Sequence, residues 1–188
     1  MASDGLVLGF DTSAAHCAAA LLVGERVLVC RAEEMGRGQA ERLMPLLEEV
    51  LESGGVTWRD LARIGVGIGP GNFTGIRIAV AAARGLALAL EIPAIGVSTF
   101  DAIRAGGGVG TPVVAALRGM VHVATLALVT AESVADPLWP PAPGILAQAI
   151  AGIAKDAALD SPPPAPLYLR PSDATPARDA PPVILDDA

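Results

Sequence analysis

The apolar pattern of the first part of the chain predicts three strands in succession. One apolar run covers Leu6–Phe10 and stops at Asp11, and a second covers Cys17–Val23. A polar turn at Gly24 separates it from a third run over Arg26–Ala32. Short apolar runs bounded by turn residues are typical of strands. The chain therefore opens in a β-meander, unlike a Rossmann unit, whose first strand leads into a helix.

The segment Gln39–Ser53 has the periodicity of an amphipathic helix. Apolar residues recur at spacings of three and four, and glutamates occupy the other side. Pro45 is expected to bend the first turns, because proline removes one backbone hydrogen bond. The apolar stripe consists of Leu43, Leu46, Leu47, Val50 and Leu51.

The middle of the chain predicts a strand, a glycine loop, a helix and a second strand. The strands are expected at Ile64–Ile68 and Ile92–Val97, and the helix at Thr74–Leu90. This helix is apolar on nearly every side, so we expect it to be buried on nearly every side. A short helix capped by Ser98 or Thr99 should follow.

The remainder of the chain predicts fewer regular elements. Gly106–Gly110 is typical of a linker, and two strands are expected at Pro112–Leu117 and His122–Val129. A helix with apolar positions from Ile145 to Ile153 comes next. From Pro171 onward the sequence is acidic and rich in proline, so we expect disorder there.

Composition argues against direct contact with nucleic acid or membrane. The chain has 188 residues, is 52% hydrophobic and 18% charged, and carries a net charge of −7 without a basic cluster. Such a charge does not attract a phosphate backbone. Arg77, Arg84, Glu91 and Pro93 interrupt the most apolar window, which excludes a membrane span.

We expect a cytoplasmic protein with two reduced, buried cysteines. Asp4 and Asp11 flank the first apolar run, which does not resemble an export signal. Cys17 and Cys30 fall on adjacent predicted strands, and their spacing about the turn does not place them opposite each other.

Two loops are candidates for phosphate contact. The glycine loop over residues 65–75 would bring backbone N–H groups and a helix N-terminus to a ligand, but it lacks the lysine of a Walker loop. A rigid strand-to-helix turn is the alternative. No glycine follows Asp11 before the next strand, which favours a turn closed by Asp11 and Ser13 on their own backbone over phosphate contact. The candidate contacts are Asp11, Thr12, Ser13, Gly69, Gly71, Asn72 and Thr74.

The residue pattern predicts neither a catalytic constellation nor a metal site. His16 and His122 are the two histidines, and they are far apart in the sequence. The chain lacks a nucleophile elbow, a His-Glu-x-x-His helix motif and a Cys-x-x-Cys pair.

Several of these runs resemble the TsaB (YeaZ-type) family, a subunit of the bacterial machinery for tRNA threonylcarbamoyladenosine. The matching runs are FDTS at 10–13, ERLMPLL at 41–47, GPGNFTGIR at 69–77, GLA at 85–87 and PAIGVST at 93–99. Tyr168–Arg170 resembles the closing strand of the family. The likeness is close over residues 1–105 and looser beyond.

The resemblance implies an α/β actin-like fold of the kind shared by sugar kinases, heat-shock chaperones and actin. Its mixed sheet would open in the β-meander. We expect a first lobe at 1–105 and a shortened second lobe with the closing helix and strand at 106–170. A disordered tail would occupy 171–188.

The resemblance also implies a non-catalytic role. The catalytic paralogue TsaD carries a pair of metal-binding histidines after a similar Pro-Ala-Ile run. On this chain those two positions are Thr99 and Ile103, which cannot bind metal as imidazoles do. The family supports modification of adenosine 37 in tRNAs that read ANN codons by pairing with TsaD, together with TsaE.

The expected partners are TsaD and TsaE, with tRNA reached only through the complex. The family interface is a helical bundle built from the first two helices, which suggests the surface Leu43, Leu46, Leu47, Val50, Ala79, Ala83 and Leu86. No cofactor is expected to be required, although weak nucleotide binding stays open. Two alternatives also stay open: a nucleotide-binding ATPase or peptidase-like enzyme, and a homodimeric binding module.

Overall fold

The computed structural model describes residues 5–169, and its centre is a five-stranded mixed sheet. The strands lie in the order β3-β2-β1-β4-β5, with β1 to β3 antiparallel and β4 and β5 parallel to β1. The predicted meander and the two later strands are confirmed. Their bounds are Leu6–Asp11 (β1), His16–Val23 (β2), Arg26–Glu34 (β3), Leu61–Gly67 (β4) and Ala94–Val97 (β5).

Helices cover both faces of this sheet. Leu8 and Phe10 of β1 are buried in the cluster that includes the apolar stripe of α1 and the inner face of α2. Val7 and its neighbours face the opposite cluster, which holds α3 and α4. Because successive side chains of a strand point to opposite faces of the sheet, alternate residues of β1 are buried in two separate apolar clusters. The helices are Gln39–Gly54 (α1), Phe73–Leu90 (α2), Thr99–Ala105 (α3) and Pro143–Asp156 (α4).

A second, smaller sheet follows the linker, in the order β8-β7-β6-β9. Its strands are Thr111–Ala115 (β6), Met120–Val123 (β7), Leu128–Thr130 (β8) and Pro137–Leu138 (β9). The expected turn at Arg118 and Gly119 is present, with both residues at positive φ. The single strand expected at His122–Val129 is wrong, because a turn with Leu126 at φ 66° divides it into two.

The position of α4 differs from the expected second lobe. This helix packs across β1, β2 and β4, so it completes the core of the first sheet. Gly9 on β1 and Gly65 on β4 make this possible, because a Cβ at Gly9 would lie 2.7 Å from Ala147 O and a Cβ at Gly65 would lie 2.8 Å from Ile150 O. Within residues 106–169, the segment that stands apart from the first sheet is therefore the small sheet.

The helix α2 is less buried than expected. By length and composition it could cross a membrane, yet its inner face packs on the sheet, and Arg77 and Arg84 interrupt the outer face. Its inner face belongs to the core of the first sheet. The expectation of burial on nearly every side is wrong: 28% of the helix is buried, because the sheet and α1 cover only one side.

The two cysteines lie in different environments. Both are free thiols; Cys17 is buried, as expected, whereas Cys30 is exposed on the edge strand β3. They are not opposite each other, since Cys17 pairs with Glu33 and Cys30 with Ala20. Burial, aided by the negative charge of Glu33, raises the pKa of the Cys17 thiol to about 11.

Substituting Gly9 should separate α4 from the sheet. In Gly9→Ala the new methyl group meets helix backbone atoms that cannot rotate away, so we expect a loss of about 1–3 kcal/mol in the free energy of unfolding, measured with urea. Gly152→Ala, on α4 itself, is the control, since a Cβ at that position would meet no heavy atom within 4 Å. An equal effect of the two substitutions would contradict this packing.

The two thiols should react at very different rates with a thiol reagent at pH 8. Cys30 is exposed and should react at once, whereas about one Cys17 thiol in a thousand is ionised at this pH. One thiol per chain should therefore react in the native protein, and the second should react only after unfolding in guanidinium. Rapid reaction of both thiols in the folded chain would show that Cys17 is accessible.

Candidate functional site

The turn after β1 and the glycine loop after β4 lie against each other. Both follow the ends of parallel, adjacent strands, so the topology brings them to the same edge of the sheet. The backbone N–H of Asn72 donates to Ser13 O, and the hydroxyl of Thr12 donates to Gly75 O over 2.7 Å. The two loops therefore form one hydrogen-bonded unit.

Asp11 closes the first loop. Its Oδ2 accepts hydrogen bonds from the backbone N–H of Ser13 at 3.0 Å, from the Ser13 hydroxyl at 2.9 Å and from His16 Nε2 at 2.7 Å. All three residues are buried. The expected turn, in which the side chain of Asp11 bonds to nearby backbone, is present. His16 was not assigned a role from the sequence, because its partner lies on the preceding strand.

Glycines in the second loop allow the two loops to touch. A Cβ at Gly67 would clash with the Asp11 carboxylate, one at Gly71 with Ser13 O and one at Gly75 with Thr12 O. These residues are glycines because another backbone or a buried carboxylate occupies the space. The spacing that suggested a phosphate cradle is thus used for contact within the chain.

The seven candidate phosphate contacts fall into two groups. Asp11, Thr12, Ser13 and Gly69 are buried, and the hydrogen bonds of the first three are made within the chain. Gly71, Asn72 and Thr74 are exposed at the start of α2, where the Asn72 side chain accepts from Gly75 N as the N-cap. Phosphate contact stays a prediction, and these three positions are the accessible ones.

A cleft of about 1270 Å³ lies between the start of α2, the small sheet and the last described residues. Its lining is mostly apolar, and Arg118 is the charged residue among the described residues that line it. Val114, His122 and Leu128 form one row across the strands of this lining, because His122 pairs with Val114 on one side and with Leu128 on the other.

His122 is the one described residue with a buried side-chain polar atom that has no hydrogen-bond partner, its Nδ1. Burial lowers the pKa of this histidine, which keeps the ring neutral near pH 7. The sequence suggested an ordinary core or interface histidine. The periodicity of a short strand did not indicate that its ring would face a cleft.

Residues 161–169 form an extended segment that runs along the loop edge of the first sheet; we call it the strap. Leu167 N donates to Ile68 O over 2.8 Å, and Pro164 packs on Gly96. The strand expected at Tyr168–Arg170 does not form at 168 and 169, and Arg170 lies outside the described residues.

Arg77 clamps the strap to α2. Its guanidinium carbon lies 4.0 Å from the centre of the Phe73 ring and 5.6 Å from that of Tyr168, and its Nε donates to the Tyr168 hydroxyl over 2.7 Å. The two rings are 4.8 Å apart. Phe73 and Arg77 both lie in the run GPGNFTGIR at 69–77, but nothing in the sequence indicates that Tyr168 contacts them.

The residues assigned to a partner interface lie mostly in the core of the chain itself. Leu86 is half-buried, and the other six are 0–1% exposed: Leu43, Leu46, Leu47, Val50, Ala79 and Ala83. They face the sheet because the apolar side of an amphipathic helix packs against the core of its own domain. An interface on α1 and α2 must therefore use other faces of these helices.

The two positions that correspond to the TsaD histidines are also structural. Ile103 is fully buried, and the Thr99 hydroxyl donates to Pro70 O over 2.9 Å. Over residues 5–169, no group of three or more His, Cys, Asp or Glu side chains is arranged to hold a metal ion.

Removing the Asp11 carboxylate should destabilise the fold. Asp11→Ala leaves two buried donors of Ser13 and one of His16 without an acceptor, so we expect a loss of about 1–3 kcal/mol by urea unfolding. Asp160→Ala, at an exposed carboxylate, is the control and should change stability by less than about 0.5 kcal/mol. Unchanged stability of Asp11→Ala would favour a ligand-binding role over a structural one.

Comparison with known proteins gives consistent matches. The family model described as TsaD, tRNA N6-adenosine threonylcarbamoyltransferase, matches residues 32–133, which is more than half of the chain. The tRNA threonylcarbamoyladenosine biosynthesis protein TsaB of Escherichia coli K12 is 35% identical over 100 residues, covering 53% of this chain and 43% of the relative. TsaB of Bacillus subtilis is 33% identical over 120 residues, covering 62% and 52%. The chain spans about half the length of the curated relatives it matches.

A solved structure agrees with the observed topology. YeaZ from Pseudomonas aeruginosa has a TM-score of 0.58 at 32% identity, covering 63% of this chain and 58% of that one. Together with the strand order of the first sheet, this match confirms the expected actin-like α/β fold.

Proposed function

We propose that this chain, which belongs to the TsaB/YeaZ family of TsaD-related proteins, is a non-catalytic subunit that pairs with TsaD in tRNA threonylcarbamoylation. The curated relatives, about half of whose length this chain spans, are named for that biosynthesis. The reaction would modify adenosine 37 of tRNAs that read ANN codons. The non-catalytic role is supported by Thr99 and Ile103, the residues at the two positions where the resemblance to TsaD would place its metal-binding histidines.

The observation that carries the proposal is the uncovered outer face of α2. Ala81, Gly85 and Ala89 are exposed at intervals of four residues, so they lie in one row along the helix. Leu88 beside them is 83% exposed. Small residues let a second helix approach closely, and an exposed leucine gains from burial. This face can join a helical bundle without disturbing the core.

The neighbouring face of α1 adds charge to this surface. Glu41, Glu48 and Glu52 are exposed along it, whereas Glu49 is held by Arg42, whose hydrogen bonds lower the pKa of that carboxyl. The combined surface is an apolar row, with the exposed Arg84 next to it, beside an acidic row. Its best complement is a helical surface with apolar residues at the centre and basic residues at one side.

The remaining parts of the proposal follow from the same assignment. TsaE would act on the pair, tRNA would be bound by the complex rather than by this chain, and the complex would work in the cytoplasm without a membrane contact. The chain itself would need no cofactor. Weak nucleotide binding at Gly71, Asn72 and Thr74 would be a secondary property.

Leu88→Glu should weaken pairing with TsaD without unfolding the chain. A charge at this position opposes burial, so we expect at least a tenfold loss of affinity by calorimetry, with an unchanged melting temperature. Leu159→Glu is the matched control, because Leu159 is 71% exposed outside α1 and α2. Equal affinity of the two variants would exclude the outer face of α2 as the interface.

The functional assay combines TsaD, TsaE, threonylcarbamoyl-AMP and tRNA with and without this chain. We expect modification only when the chain is present, and reduced modification with Leu88→Glu. Equal modification without the chain would refute the proposal. A homodimer formed by the same face is the alternative, and light scattering with and without TsaD would detect it.

A further inference from the structure

We propose that the cleft of about 1270 Å³ binds a segment of this same chain, the residues Val183–Leu185 that follow the described part. This inference goes beyond pairing with TsaD, because the cleft lies between the start of α2 and the small sheet, away from Leu88. The occupant would be an apolar peptide segment.

The rim of the cleft is unusually apolar for a solvent-exposed surface. Leu117, Leu126 and Leu128 line it and are 64%, 51% and 52% exposed, and Met120 lies beside them. Exposed leucines grouped around a concave surface indicate a binding site rather than scattered surface residues. An apolar occupant would remove them from water.

The orphaned Nδ1 of His122 gives the wall of the cleft one unsatisfied polar atom, which a peptide can bond if the ring turns toward it and a hydrocarbon chain cannot. This buried nitrogen has no partner among the described residues, although the ring lies in the row between Val114 and Leu128. A neutral imidazole nitrogen needs either a donor or an acceptor, depending on its tautomer. A peptide backbone supplies both, at regular intervals.

The strap delivers the chain to this cleft. Leu167, Tyr168 and Leu169 line it, and the Arg77 clamp holds Tyr168 there. Val183 is 14 residues beyond Leu169, a separation that can span up to roughly 45 Å and so reaches every part of a cleft of about 1270 Å³. A linker of this length gives a local concentration in the millimolar range.

The sequence after the strap matches the lining in both polarity and charge. Val183, Ile184 and Leu185 are consecutive apolar residues in an otherwise polar and proline-rich stretch. Asp186 and Asp187 follow them directly, and the charged residue of the described lining is Arg118. A basic or neutral segment would lack this complement.

Disulfide trapping in the full chain tests the inference. The pair Leu128→Cys and Ile184→Cys is placed in a Cys30→Ser background, since Cys17 is buried and unreactive. After mild oxidation at low micromolar concentration, mass spectrometry measures the fraction of chains with an internal disulfide. We expect at least ten times more of it than with the control pair Leu88→Cys and Ile184→Cys, which uses an exposed leucine far along α2.

A second comparison separates binding from mere proximity. Adding Val183→Asp and Leu185→Asp to the Leu128→Cys, Ile184→Cys chain should lower the internal disulfide by at least fivefold, because the apolar contact is lost. Equal trapping by the two cysteine pairs, or no effect of the aspartates, would overturn the inference. Disulfides between two chains would also overturn it and assign the cleft to a second copy.

Discussion

The contact between the Asp11–Ser13 turn and the glycine loop organises the rest of the structure. It joins β1 and β4 at their carboxyl ends and fixes the point at which α2 begins, since Thr12 bonds to Gly75 within the first turn of that helix. The direction of α2 then decides which face meets the sheet and which remains outside. Both the proposed partner surface and the cleft depend on this one junction.

The helix α2 connects the two surfaces to which we assign binding. Its first two turns carry Phe73 and Arg77, which hold the strap at the cleft, and its later turns carry the exposed row with Leu88. The inner face is occupied throughout by the sheet and α1. The inner face of α2 thus packs in the core, whereas its first turns and its outer face carry the two surfaces that we propose for binding.

Much of the fold was predictable from local patterns. The meander, α1, β4 and α2 follow from the periodicity of apolar residues and from glycine punctuation. The position of α4 was not predictable, because its contact with Gly9 and Gly65 joins parts of the chain more than 80 residues apart. For the same reason the Arg77–Tyr168 clamp was not evident from either residue alone.

The candidate site shows where pattern reasoning reaches its limit. The stripe from Leu43 to Val50 was assigned to a partner, but periodicity gives only the apolar side of a helix and not what covers it. The glycines of the loop were equally compatible with phosphate binding and with close backbone contact. The structure supplies the missing neighbour in each case, as Thr12 O does for Gly75.

The exposed row on α2 has a consequence for how the cell must manage this chain. In the pairing that we propose, a chain that displays Leu88 and its small neighbours to water would be prone to self-association whenever its partner is scarce. Synthesis in step with TsaD would limit that exposure, and surplus copies would become natural substrates for chaperones and proteases. Supply of the chain would thereby be tied to stoichiometry rather than to catalytic demand.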